Sequence, residues 1–215
     1  MVLRAPHGGG VRGGLYHSQS VEALFAHTPG LKVVTPSTPY DAKGLLKTAI
    51  RDDDPVVFLE HKRTYRLVRG EVPEDEYTIP IGKADVKKSG NDISVITYGL
   101  MVHHCLEVAN ELIDENIDVE VVDLRTVRPI DEELVLESAK KTGKILIVHE
   151  DNKVLGVGAE ISAMISENAF EFLDAPISRL AGPEVPAMPF NPPMEAVYMI
   201  SSEDIKKSIK ELAEY

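Results

Sequence analysis

A chain of 215 residues has room for one large or two small domains. Its 43% apolar content is ordinary for a globular protein, and no apolar run approaches the ~20 residues a membrane helix needs. Thirty-five acidic against 23 basic residues leave a formal charge of −12, which disfavours nucleic acid and anionic membrane and suits a basic protein partner. A single cysteine, Cys105, excludes an internal disulfide and fits a reducing compartment. Met1 is followed by no basic stretch and apolar run of the signal-peptide kind, so the expected location is cytoplasmic.

Met1 to Ala5 reads as a strand fragment, and Pro6 to Gly14 as a loop with five glycines. Those glycines lack both the Lys-Ser/Thr ending of a phosphate loop and the GxGxxG spacing, so the expectation for them is structural. Ser18 or Ser20 can cap a short helix, leaving His17 just outside its N-terminus. Val21, Leu24 and Phe25 share one face of that helix and would anchor it. Pro29-Gly30 ends it, and Leu31 to Thr35 has the composition of a buried strand. Thr38-Pro39 then pairs a capping residue with proline at the first helical position. Leu45, Leu46, Ala49 and Ile50 keep helical spacing until Arg51 to Pro55 stops it. Val56 to Leu59 is again a buried strand. Alternation of strand and helix predicts a parallel sheet with helical cover.

Residues 61–90, with their charges and Pro73 and Pro80, read as an extended crossing segment on the surface. A second α/β unit starts at Asn91. Strands are predicted at Ile93 to Tyr98, Ile117 to Leu124, Ile145 to Val148 and Pro176 to Leu180. Between them, Val102, Cys105, Leu106, Ala109, Leu112 and Ile113 form one apolar helical stripe. Leu134, Leu136 and Ala139 mark a helix ended by Thr142-Gly143, and Val157, Ile161, Met164, Ile165 and Phe172 mark another. Pro183 to Pro193 reads as an irregular loop. Ser202 is placed to cap a terminal helix with Ile205, Ile209 and Leu212 inward. The expected division is 1–65, a linker at 66–90, and 91–215.

The run from Tyr16 to Val34, with Tyr16-His17-Ser18-Gln19-Ser20 at its head, resembles the β subunit of the thiamine-diphosphate-dependent 2-oxo acid dehydrogenases. The likeness continues through Thr38 to Leu46, Pro55 to Glu60, Val122 to Pro129 and Ala175 to Arg179. It covers essentially the whole chain. The resemblance implies a pyrimidine-binding domain followed by a transketolase C-terminal-like domain with a mostly parallel sheet. Set against it, the first region offers only about three strands and two helices, few for a doubly covered sheet. Met1 falls inside what looks like a mid-domain strand. The expectation is therefore a β subunit whose front part is absent, with a sheet edge that needs covering.

The resemblance also implies chemistry. Thiamine diphosphate would sit between subunits, its diphosphate held through magnesium by an α subunit. A glutamate that activates the cofactor belongs to the front part, and residues 1–16 contain no Asp or Glu. This chain alone is thus expected not to activate the cofactor. His17 would lie in the active-site channel where a lipoyl arm arrives. Opening a lipoyl disulfide leaves a thiolate that needs a proton, which an imidazole of ordinary pKa near 6.5 can give at neutral pH. It could equally orient a 2-oxo acid carboxylate. Some relatives bind potassium through backbone carbonyls at positions matching Ala49, Asp52 and Asp54, completed by carbonyls matching Met1 and Val2. The C-terminal domain is implied to carry no chemistry. It would pair with a second β subunit and dock a basic domain of the lipoyl acyltransferase core through Glu203, Asp204, Glu211, Glu214 and Tyr215.

The remaining histidines point elsewhere. His103 and His104 are adjacent and face different sides of a helix. His149, with Glu150 and Asp151, reads as a polar strand end at a subunit contact. His27 ends the short helix, and His7 and His61 read as loop and interface residues. No motif has the spacing of a structural zinc site. Two competing readings are a transketolase-type enzyme and a non-catalytic assembly subunit.

Overall fold

Along the chain of the computed structural model, which describes residues 1–215, the first unit runs β1 (Val2–His7), α1 (Gly14–His17), α2 (Glu22–Ala26), β2 (Lys32–Val34), α3 (Pro39–Arg51), β3 (Val56–His61) and α4 (Thr64–Leu67). Next come β4 (Asp85–Lys88), β5 (Ile93–Thr97), α5 (Met101–Glu111), β6 (Val119–Asp123), β7 (Thr126–Arg128) and α6 (Glu132–Thr142). The chain closes with β8 (Ile145–Asn152), α7 (Val157–Asn168), β9 (Ser178–Gly182), α8 (Pro192–Tyr198) and α9 (Ser202–Ala213).

Two mostly parallel sheets result, in the orders β1-β3-β2-β7 and β4-β6-β5-β8-β9. Only β7 and β4 run antiparallel to their neighbours. Every residue of β3, β5 and β6 is buried. Both faces of these strands are covered, and β3 and β5 accordingly read as largely apolar stretches, whereas β6 buries Glu120 and Asp123 among its valines. A shared core joins the two sheets: Val33 and Leu59 of the first pack in one cluster with Ile96, Val122 and Ile147 of the second and Ile161 of α7.

Local signals hold at several termini. The Thr38 hydroxyl accepts the Asp41 N–H at 3.1 Å, with Pro39 at the first helical position. Gly143 ends α6 at φ 65°, a left-handed value that glycine adopts without a Cβ penalty.

Elsewhere the folded chain corrects the expectation. Neither Ser18 nor Ser20 caps α2. Val21 stands at that position, and the first-turn N–H of Ala23 is taken at 3.1 Å by the Asp151 carboxylate of β8. Ser18 instead accepts the Gly13 N–H at 2.9 Å. The inward face of α2 includes Glu22, whereas Leu24 is exposed, because the helix lies on the polar end of β8. His17 closes the short helix α1 and is separated from the Val21 cap of α2 by Ser18, Gln19 and Ser20, so it does not stand just outside α2. Ile50 and Ile113, read as core, lie on the outer sides of their helices.

The segment 66–90 is less detached than its composition suggests. Ile79 packs with Leu45 and Phe58, and β4 pairs with β6. Within the stretch 183–193, Pro192 and Pro193 start α8, since proline fits the first turn where no N–H is needed. At the terminal helix, Ser201 makes the cap, in a reciprocal capping box with Asp204. The Ser202 hydroxyl lies 3.3 Å from His104 Nδ1 and donates to Glu107 at 3.2 Å.

Candidate active site

Parallel register places His7 of β1 opposite His61 of β3, so both side chains arrive at the C-terminal ends of adjacent strands. Their rings meet edge to face with centroids 5.4 Å apart, and both are buried. They are therefore interior groups and not the loop and interface residues expected. From the second sheet, the end of β8 brings Glu150 to the same place. One oxygen of Glu150 lies 2.8 Å from His61 Nε2, and the other accepts the Gly9 N–H. The C-terminal ends of strands from both sheets thus converge, where α/β folds build their sites.

Water is excluded from this cluster, and the titrations respond. Burial is the largest influence on His7 and, with the neighbouring His61 charge, pushes its pKa down to about 3. Neither ring nitrogen of His7 makes a hydrogen bond, although Glu22 Oε1 lies 3.4 Å from Nδ1. Burial and the nearby Asp151 charge hold the Glu22 carboxyl well above its usual range. Burial also raises Asp151. Burial pushes Glu150 upward too, but the His61 hydrogen bond and charge and the Gly9 N–H outweigh it and leave it below the ordinary value.

His149 is fully buried in β8, not at a subunit contact, and its Nε2 accepts the Gly158 N–H of α7 at 3.2 Å. Burial, reinforced by the Arg179 charge, lowers its pKa to about 4. An unfolded histidine takes its proton first as pH falls through about 6.5, so the stabilisation from neutral His149 is complete above that pH and is lost toward about 4. His149→Gln keeps an acceptor and removes the titration. Between about pH 7 and pH 4 the variant is expected to gain about 3 kcal/mol on the wild type in chemical unfolding. A difference that does not move with pH would contradict this assignment.

His17 stands apart from the buried cluster. Its imidazole is exposed and makes no hydrogen bond, while its carbonyl accepts from the Lys62 ammonium. A side chain at Gly13 would collide with the Cβ of His17. The carboxylates around the glycine loop, Glu22, Glu150, Asp151 and Glu195, are all buried. These residues therefore do not fit the activation of a thiamine ring, which needs a carboxylate on the pyrimidine.

At the proposed potassium positions, the Lys32 ammonium lies 2.7 Å from Asp52 and 3.1 Å from Asp54. Its hydrogen bond holds the Asp52 carboxyl below the usual range. The Ala49 carbonyl accepts the Asp52 N–H. Lys32 thus pairs with the side chains of Asp52 and Asp54 and not with their backbone carbonyls. His103 pairs with the Ser37 carbonyl at 2.8 Å, apart from His104. Along α9 the acids alternate with Lys206, Lys207 and Lys210, which pair with Glu111, Glu115 and Glu211. That surface is mixed in charge, and Asp204 is committed to its cap.

Glu22 and Glu195 were not singled out in the sequence. Glu22 sits at a helix start and Glu195 follows two prolines, both common settings for solvated acids. Only their burial distinguishes them.

Residues 82–205, more than half of the chain, match the family described as transketolase, C-terminal domain, and residues 1–68 match the transketolase pyrimidine binding domain. The 2-oxoisovalerate dehydrogenase subunit beta of Bacillus subtilis (strain 168) is 60% identical over all of this chain and 66% of its own length. The pyruvate dehydrogenase E1 component subunit beta is 49% identical over the same spans in B. subtilis (strain 168) and in Staphylococcus aureus (strain Mu50 / ATCC 700699). The chain thus spans 66% of the length of these curated relatives. A solved split gene transketolase, described as an inactive beta4 tetramer, superposes with a TM-score of 0.80 at 25% identity, over 99% of this chain and 66% of that one. With the converging strand ends of two α/β units and both matches in the same order along the sequence, the chain belongs to the transketolase C-terminal domain family, preceded by a pyrimidine-binding segment.

Proposed function

We propose that this chain is the corresponding part of the β subunit of a cytoplasmic 2-oxo acid dehydrogenase. It works with an α subunit, a second β subunit and a lipoyl acyltransferase core. The complex decarboxylates a 2-oxo acid and passes the acyl group to lipoamide. Identity of 60% to a 2-oxoisovalerate dehydrogenase subunit, against 49% to pyruvate dehydrogenase subunits, favours a branched-chain substrate. The observation that carries the reading is the free imidazole of His17. It is held in place by its backbone, with the ring open to solvent.

Thiamine diphosphate and magnesium are assigned to the assembled enzyme, where the diphosphate is held with the α subunit. The residues of this chain offer no carboxylate to the pyrimidine, so on its own the chain is read as inactive. The solved split gene transketolase, itself an inactive beta4 tetramer, supports that reading by analogy.

Calorimetric titration of the 215-residue chain with thiamine diphosphate and magnesium is expected to show no micromolar binding. Micromolar binding would overturn the assignment of cofactor activation to residues elsewhere. Mixed with a dehydrogenase α subunit, the chain is expected to co-elute with it. Turnover of a sugar phosphate would instead favour a transketolase-type enzyme.

A further inference from the structure

Between β1 and α1 the backbone follows an unusual path. Gly8 and Gly10 have φ of 89° and 76°, and Arg12 has 59°. Alternating left-handed residues turn successive N–H groups toward one side, a geometry that elsewhere holds anions. Here the anions come from the chain itself. Gly9 donates to Glu150, and Gly10 and Arg12 both donate to one oxygen of Glu195, at 3.1 and 2.9 Å. Glu195 lies on α8, more than 180 residues away in sequence.

Glu195 is 5% exposed, and no lysine, arginine or histidine pairs with it. Burying a carboxylate without a counter-ion is costly, and an apolar side chain would pack an α8 contact as well. What the carboxylate supplies is a charged acceptor for two loop N–H groups, which is stronger than a neutral one. The next residues are fixed from other sides. A Cβ on Gly14 would collide with Phe190, the Gly13 N–H is bound by Ser18, and Lys62 holds the His17 carbonyl.

We propose that Glu195 is a positioning residue for His17: the C-terminal unit, through α8, sets the glycine loop and so places the imidazole that serves acyl transfer. This rests on the active-site reading of His17 given above. It gives the C-terminal unit a part in the chemistry beyond pairing and docking.

Two variants test it by amide hydrogen exchange on the 215-residue chain and by kinetics in a dehydrogenase assembled with a full-length β subunit. Glu195→Ala is expected to speed exchange across residues 8–14 at least about tenfold, with β5 and β8 unchanged. It should lower kcat for acylation of a lipoylated acceptor at least about tenfold, with KM for the 2-oxo acid little altered. Glu195→Gln keeps an oxygen acceptor and should return both readouts to within about threefold of wild type. Unchanged loop exchange in Glu195→Ala would overturn the proposal. So would loosening of β5 and β8 together with the loop, which would make Glu195 a folding residue. Faster loop exchange with undiminished acyl transfer would overturn it as well. In that case a crippling His17→Ala leaves the active-site reading standing, and a silent His17→Ala removes that reading too.

Discussion

His17→Ala, introduced into a dehydrogenase assembled with a full-length β subunit, is expected to lower acyl transfer to lipoamide by about 10²–10⁴-fold, the range for loss of a general acid. Unfolding free energy should stay within about 0.5 kcal/mol of wild type, as for exposed sites free of special contacts. The separation follows from the geometry. The imidazole is exposed and makes no hydrogen bond, so its removal leaves nothing buried and unpaired. Alanine retains the Cβ beside Gly13 and the carbonyl that Lys62 holds. On the proposed reading, opening the lipoyl S–S bond joins the acyl group to one sulfur and leaves the other as a thiolate, and the His17 ring would hand that thiolate a proton drawn from solvent. Comparing reductive acylation with thermal or urea unfolding decides the matter. Parallel loss of rate and stability would make His17 a structural residue.

Asp41→Ala should have the largest effect on stability, about 3–5 kcal/mol by the usual cost of removing one partner from a buried ion pair. Asp41 is fully buried on α3 and faces two cations from the second unit. The Lys87 ammonium lies 2.9 Å from one oxygen, and Arg125 Nη2 lies 2.8 Å from the other. It also accepts from the Thr38 hydroxyl at 2.6 Å, so the α3 cap and the junction between units share one carboxylate. Asp85 also lies 2.7 Å from Arg125 and 2.8 Å from Lys87 and gives both cations a second partner, which places the expected loss toward the lower end. Asp123, pushed up to about 6 by burial despite Ser37 and Lys87, would compensate less near pH 6 than above it. Urea unfolding monitored by far-UV dichroism gives the value. A loss below about 1 kcal/mol would mean that the shared apolar core, not this ion cluster, fastens the units.

The parts of this molecule that could be read before folding are those whose cause lies within a few residues. The Thr38-Pro39 start of α3 is one, and Gly143 at the end of α6 is another. The apolar runs of β3 and β5 announced buried strands, and the letters from Tyr16 to Val34 carried the family. Contacts between distant polar residues have no period and no neighbour to betray them. Asp151 caps α2 from 128 positions away, β7 returns to pair with β2, and His7 and His61 become interior only because β8 delivers Glu150 between the sheets. Glu195 is the clearest case: along the chain it is one acid among many, and it becomes a buried acceptor only when α8 crosses the glycine loop and two N–H groups turn toward it. Periodicity and capping are short-range physics, whereas the placement of a buried charge depends on which donors the completed fold brings within reach.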